Sequence, residues 1–538
     1  MAPMIGMRTK SGSPLSHRTE LMKRILTLLA ILAVSLQAQT ARSDQQTRRA
    51  PKIWNEEKLR DWFNPVAGIN ARPNHYSEAE FYAAPVDDLR TWPVYHPDYE
   101  PAGYLESLRK RGPQTMLKAG EARTRDGWIE AGRRVWEEMD LPQVRTSDFR
   151  VVDYVRNREA LKKYPPRMTK DGILFDFRWV IEKTGELKLS VTECAGCHTR
   201  MTSQGVLIAG AQGNPPPISF KQCPAQNCAI FPPVGGLMFS VFSLPKTPGD
   251  APDSPAETAY AQFGVPWIAN DVHARIKSMS DSDVLALAAE DLPETFARFN
   301  GSPYFTTKIP SLIGVAQSLY LDHTGTHRNR GPEDIARYAA LVLLADDGSI
   351  GDYQFFTPYQ RKLRIRHSDD VLYALGMFIT YGLKEPENPN KPNQLSGQGE
   401  SVFRRSGCAG CHTPPDFTNR MLIPVDGFVP PGPMSTDLQI MRDARVGTDP
   451  GLALRTRKGT GYYKVPSLKG VWHRRLLEHS GSVSSLEDWF DSRRLKDDFV
   501  PSGWKGPGVT HRAVPGHEFG LELTENDKSA LIAFLRTL

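Results

Sequence analysis

Gly399-Glu-Ser-Val-Phe-Arg-Arg-Ser-Gly-Cys-Ala-Gly-Cys-His412 is the stretch whose reading decides the fold. It opens on a glycine followed by the apolar pair Val402-Phe403, a pattern that predicts a helix able to be crossed closely at the glycine. It closes on a Cys-x-x-Cys-His pentad. Two thiols at this spacing can add across the two vinyl groups of one porphyrin, and the adjacent histidine then lies beneath the iron as its proximal imidazole. A redox dithiol would call for a thioredoxin-like βαβ pattern, and a zinc site for a second Cys-x-x-Cys at finger spacing. The chain has neither. Further on, Thr524-Glu-Asn-Asp527 precedes Leu531, Ile532, Phe534, Leu535 and Leu538, which predicts an N-capped amphipathic helix ending the chain.

A second pentad, Cys194-Ala-Gly-Cys-His198, repeats the first. Its glycine-led helix is Gly132-Arg-Arg-Val135-Trp136, set much further upstream. The insert between them holds Phe177-Arg-Trp-Val-Ile181 and Leu187-Lys-Leu-Ser-Val around Lys183-Thr-Gly-Glu186, an alternation that predicts a β-hairpin. Ser368-Asp-Asp through Tyr381 reads as the closing helix of this half, ending at Gly382. Helix, pentad and closing helix together look like a cytochrome c domain, and the chain holds two. The expected fold is mainly α: cytochrome c domain 1 over 120–390, the Glu385 to Pro392 linker, and domain 2 over 391–538. Each domain is expected to bind one haem c covalently, at Cys194, Cys197 and His198 and at Cys408, Cys411 and His412.

An internal repeat supports a duplication. Lys308-Ile-Pro-Ser-Leu-Ile-Gly-Val315 recurs as Lys464-Val-Pro-Ser-Leu-Lys-Gly-Val471, and Leu321-Asp-His323-Thr-Gly325 recurs as Leu477-Glu-His479-Ser-Gly481. Both matches fall in one register.

The second block, Lys464 to Trp472 with Leu477-Glu-His-Ser-Gly-Ser-Val483 and Leu486-Glu-Asp488, resembles the signature of the bacterial dihaem cytochrome c peroxidase superfamily. Gly516-His-Glu-Phe-Gly520 further resembles the subgroup that includes the haem rubber oxygenase. The resemblance covers roughly 120–538 and implies an oxidoreductase, with one haem for electron transfer and one for peroxide or oxygen chemistry. In the peroxidases the histidine matching His479 lies near the haem propionates, and a methionine fourteen positions later ligates iron. Here that position is Arg493. The subgroup's late histidine matches His517, the expected distal ligand of the second haem, with His479 as the alternative and Met421, Met434 or Met441 behind it. The repeat offers His323 near the first haem, with His327 close by and Arg328 and Arg330 as propionate partners. No catalytic side chain is nominated, the reaction being expected at the open position of the haem on His198. Trp179, Trp267 and Trp472 are candidate electron relays, and calcium, known in the peroxidases, has no oxygen-rich loop to call for it. The alternative function is a non-catalytic electron carrier with both irons six-coordinate.

The 538 residues allow two or three domains. Lys23 and Arg24 before the apolar run Ile25 to Leu36, then Ala38 and Ala41, read as an export signal over 1–41 cleaved near 38–41. That implies a periplasmic or secreted protein. Arg8, Lys10, Arg18, Lys23 and Arg24 against Glu20 supply a net +4 of the formal +6, so about +2 remains after cleavage and no nucleic-acid partner is indicated. The partners expected are a redox protein or a small-molecule oxidant, with peripheral membrane contact left open. Residues 42–119 form an N-terminal extension. Of the six cysteines, Cys223 and Cys228 are left over, and an oxidising compartment would join them as a local disulfide.

Overall fold

A computed structural model of the chain describes residues 49–215, 247, 254–288, 290, 294–296, 301–343, 349–431 and 438–538. The export segment, Cys223, Cys228 and Met434 lie outside the described residues. The fold is mainly helical with small sheets. Its framing helices are α1 (Arg125–Glu138), α2 (Cys194–His198), α3 (Pro332–Leu343), α4 (Asp369–Met377), α5 (Gln394–Arg405), α6 (Cys408–Cys411) and α7 (Glu525–Arg536). No helix among the described residues is long and apolar enough to cross a membrane.

The ends of these helices follow from local chemistry. Thr124, Ser368, Asn393 and Thr524 each accept a backbone N–H of the first turn, which satisfies a donor the helix would leave orphaned. Past Met377 the helix continues as one π-turn, Phe378–Gly382.

Each half is built on the same helix crossing. A Cβ added to Gly132 would stand 1.9 Å from the carbonyl oxygen of Ala374 and 2.7 Å from Cβ of Phe378. A Cβ added to Gly399 would stand 1.9 Å from the carbonyl oxygen of Ala530 and 2.7 Å from Cβ of Phe534. Only glycine lets α1 approach α4, and α5 approach α7, this closely. The aromatic residue after each valine then meets the phenylalanine below: Trp136 and Phe378 have ring centroids 5.8 Å apart, Phe403 and Phe534 5.3 Å.

The hairpin is β2 (Ile173–Val180) with β3 (Lys188–Val191), paired from Phe177–Val191 to Val180–Lys188, and β1 (Thr91–Tyr95) adds a third strand along β2. That third strand comes from the N-terminal extension. The extension also supplies Ile53, Trp54, Trp62 and Phe81 to the core of the first half, beside Trp128, Val135 and Phe378. It is therefore part of that core rather than a covering. A separate core in the second half gathers Val402, Phe403, Val471, Phe490, Leu531 and Phe534.

The two repeat blocks share backbone conformation. Asp322 and Glu478, neither of them glycine, adopt φ of 62° and 64°, and Gly314 and Gly470 adopt 81° and 73°. They also grip each other reciprocally. The amide of Lys308 donates to the carbonyl of His479, and that of Lys464 to the carbonyl of His323, both at 2.9 Å. Each lysine amine reaches the equivalent carbonyl of the other block, Lys308 to Leu476 at 3.4 Å and Lys464 to Tyr320 at 3.3 Å. The contact thus has an approximate twofold axis joining the halves.

Candidate functional site

A cavity of about 300 Å³ lies where these blocks meet α5, α6 and α7, and Cys408, Cys411, His412 and His517 are in its wall. Gly407, at φ 77°, turns the chain out of α5 into the short helix that presents both thiols. The imidazole of His412 is held at Nδ1, 3.2 Å from the carbonyl oxygen of Phe417. A carbonyl there fixes the proton on Nδ1 and leaves the Nε2 lone pair free for a metal. Burial, ahead of the positive Arg474, pushes the pKa of His412 below its ordinary value, in the direction a metal-binding lone pair needs.

His517 faces it. The two ring centroids are 6.3 Å apart. With a metal–imidazole bond of about 2.0 Å and about 1.2 Å from nitrogen to ring centre, two imidazoles on opposite sides of one metal have centroids about 6.4 Å apart. Nδ1 of His517 is buried with no hydrogen-bond partner. Burial, then the neighbouring His412, pushes its pKa down to about 4, so the ring is neutral at ordinary pH.

The loop carrying His517 is built for close approach. Gly516 sits at φ 77°, and a Cβ there would come within 2.2 Å of the Gly447–Thr448 backbone. His517 itself is held at φ 48°, a conformation unusual for a side-chain-bearing residue. Its amide donates to the carbonyl of Val446 at 2.5 Å. Arg494, with no solvent exposure, ties the loop down by donating to the carbonyls of Val514, His517 and Trp489 at 2.6, 2.9 and 2.9 Å. Trp489 and Phe519 flank the imidazole, with centroids at 5.2 and 5.5 Å. Two thiols, two imidazoles at this spacing and a largely apolar wall fit a covalently held haem.

The first pentad is framed in a matching way. Nδ1 of His198 lies 3.0 Å from the carbonyl oxygen of Pro310, in the first repeat block. Arg167 donates to the carbonyls of Thr199 and Gly196 at 2.7 and 2.6 Å, while its Nε pairs with Asp176 at 2.8 Å. That clamp and the close passage of Gly213, whose Cβ would lie 2.0 Å from the Cys197 carbonyl oxygen, set the turn's position.

The other nominated residues are placed differently. His479 bonds Glu478 through Nδ1 and lies 3.1 Å from the Tyr463 hydroxyl through Nε2, with the two rings stacked at 4.4 Å. Both its nitrogens are therefore engaged. His323 also lines this cavity, its Nε2 2.9 Å from the carbonyl oxygen of Lys308. Burial, then the adjacent lysine, pushes its pKa down to about 3. His327 is enclosed by Trp62, Phe63 and Tyr338. Met441 takes a hydrogen bond from the Asn419 amide at 2.9 Å and lies 4.0 Å from the Cys411 sulfur, on the attachment side. Neither Met441 nor Met421 is among the residues lining the cavity. Arg330 is committed to Asp61 and Asp334 at 3.1 and 2.8 Å. Trp179 is buried with Val94, Leu108 and Leu189 in a cluster of its own, Trp267 packs on Tyr353 and Phe355, and Trp472 packs on His473.

Sequence reading passed over Trp489 and Arg494. Arg494 adjoins Arg493, the position that fails as a ligand, and nothing in the one-dimensional pattern separates the exposed arginine from the buried one. No group of three or more His, Cys, Asp or Glu that could hold a bare metal ion occurs among the described residues.

No family model matches the chain, and no curated protein does. Among solved structures it is similar to a MauG-like protein associated with microbial copper homeostasis, at 17% identity and a TM-score of 0.20, over 32% of this chain and 56% of that one. It is also similar to hydrazine synthase of Kuenenia stuttgartiensis, at 13% identity and 0.27, over 57% and 93%. A variant of the dihaem peroxidase BthA from Burkholderia thailandensis is similar at 18% and 0.25, over 56% and 84%. The chain thus spans about half the length of the first of these.

Proposed function

We propose that this chain is an exported c-type cytochrome with two covalently bound haems, an oxidoreductase of the dihaem peroxidase and oxygenase kind. The reading rests above all on the pair His412 and His517, their ring centroids 6.3 Å apart and adjoining Cys408 and Cys411. Bound haem supplies a one-electron iron centre whose potential is set by its axial ligands and surroundings. Cys408 and Cys411 would anchor it and His412 and His517 would ligate its iron, while Phe417 holds the His412 ring and Arg494 the loop of His517. Two imidazoles give a lower potential than a histidine and a methionine, which suits a site that holds or relays electrons. Peroxide or oxygen chemistry falls to the site of Cys194, Cys197 and His198. Electrons arrive from a redox protein partner.

The equivalent crossings at Gly132 and Gly399, and the reciprocal repeat blocks, support a duplicated cytochrome c domain. Its boundaries would be 120–390 and 391–538, after an export signal over 1–41. The late His517 in its glycine-flanked loop favours the subgroup that includes the haem rubber oxygenase.

Mass spectrometry of the exported protein should find two haems added and the leader removed. Optical and EPR spectra of the oxidised and half-reduced protein then test the chemistry. A ferric haem that is high-spin, or becomes so on half-reduction, is the expected result. Two low-spin haems that bind neither cyanide, carbon monoxide nor peroxide would leave only the electron carrier.

A further inference from the structure

Three cations, Lys308, Lys464 and Arg474, line the cavity beside His412 against a single carboxylate, Glu478. Their polar partners are main-chain carbonyls. Lys308 reaches Leu476 at 3.4 Å, Lys464 reaches Tyr320 at 3.3 Å, and Arg474 donates to Ser467 at 2.8 Å and to Lys469 at 2.5 Å. The acids nearest the lysines are already engaged. Glu478 is taken by His479 and Ser480, and Asp322 by Thr326 and by the Tyr338 hydroxyl at 2.5 Å. Burial pushes the Lys308 amine down to about 7 and the Lys464 amine to about 8, and Glu478 near the first and Asp322 near the second offset that burial only in part. Burying three cations against one carboxylate that is already bonded elsewhere is expensive, and such an arrangement persists where a ligand brings further negative charge.

We infer that Lys308 and Lys464, with Arg474 between the blocks, pair with the two carboxylates of the haem anchored at Cys408 and Cys411. The inference rests on the haem reading above and goes beyond it. It gives the first half of the chain a side chain, Lys308, in the binding site of the second. The reciprocal exchange of the repeat blocks brings this about: each lysine crosses to the other block's carbonyl, so the two residues line the cavity as an equivalent pair. Charge-assisted hydrogen bonds to a carboxylate are about twice as strong as neutral ones, and burial strengthens them further.

The test uses the matured holoprotein carrying Lys308→Met, Lys464→Met or Lys308→Arg. Mass spectrometry counts haems, and spectroelectrochemical titration at fixed pH reads the potential of the low-spin haem. Removing a positive charge beside the haem favours the ferric state. Each methionine variant should keep two haems and lose about tenfold in the equilibrium constant for reduction, 59 mV for one electron. Lys308→Arg should stay near wild type. If Lys308→Met does not accumulate, Lys464→Met reads the same quantity from the other block. Unmoved potentials with both haems in place would overturn the inference alone, whereas a wild-type protein without haem would overturn the reading beneath it.

Discussion

Gly399 lies under Ala530 with room for a hydrogen and nothing larger, the carbonyl oxygen standing 1.9 Å from where a Cβ would be. The obstacle is main chain, so no rotamer change relieves it. Gly399→Ala should force α5 from α7 and cost about 3 kcal/mol, at the upper end for overpacking. Gly397 shares the helix, faces solvent and has nothing within 4 Å of its would-be Cβ. Gly397→Ala should gain up to about 1 kcal/mol from helix propensity. Chemical denaturation of the two variants gives the contrast, and equal effects would refute the crossing as the cause. Gly132→Ala should behave like Gly399→Ala.

His517→Met should keep both haems and convert the low-spin centre from bis-histidine to histidine–methionine ligation. The thioether favours the ferrous state, so the potential should rise by more than 100 mV, on the order of the axial-ligand effects in cytochromes. His479→Ala, by contrast, removes an imidazole with both nitrogens already used, and the low-spin spectrum should survive it. A spectrum lost in His479→Ala and kept in His517→Met would exchange the two roles.

What could be read in the sequence was whatever has a local cause. The pentads, the glycine-led helices and the caps at Ser368 and Thr524 each depend on residues a few positions apart, and the repeat is visible as a register match. The hairpin was legible as an alternation, but its third strand, Thr91–Tyr95, was not, because pairing across some 80 residues leaves no periodic trace. Helix α3 also went unread, though Gly376 accepts it closely, with a Cβ there 2.2 Å from the Pro332 carbonyl oxygen. In the site, residue types pointed to several histidines with equal chemistry. Their differences lie in what occupies each ring nitrogen: Glu478 and Tyr463 for His479, Lys308 for His323, and no Nδ1 partner for His517. Those partners are set by tertiary contacts.

Arg494 satisfies three carbonyls from inside the fold, those of Trp489, Val514 and His517. Arg494→Ala strands these acceptors and opens a cavity beneath the His517 loop. A loss of about 3 kcal/mol or more is expected, from several buried groups left unpaired. Its specific mark is on ligation: the low-spin haem should turn partly high-spin even where the protein remains folded. Arg494→Lys keeps the charge but offers a point donor in place of a three-way fork, and should recover little. Arg493, which is exposed and pairs with Asp491, should tolerate alanine with neither change.

Glu478 gives the fold an acid limit. Burial works to raise the carboxyl, but the His479 imidazole and the Ser480 hydroxyl and amide outweigh it and hold the pKa at about 2, against an ordinary 4.5. A carboxylate whose pKa is depressed on folding contributes its full stability above the unfolded value and loses it as pH falls toward the folded one. Stability should therefore decline between about pH 4.5 and pH 2, by about 3 kcal/mol at most. Denaturant midpoints across that range check the slope. Glu478→Gln should be less stable than wild type at pH 6 and should approach it at pH 2. Because Glu478 sits in the block that grips the first half, through His479 and the Lys308 amide, the wild-type acid transition should loosen both halves together. A variant whose stability tracked wild type in parallel down to pH 2 would rule out Glu478 as the titrating group.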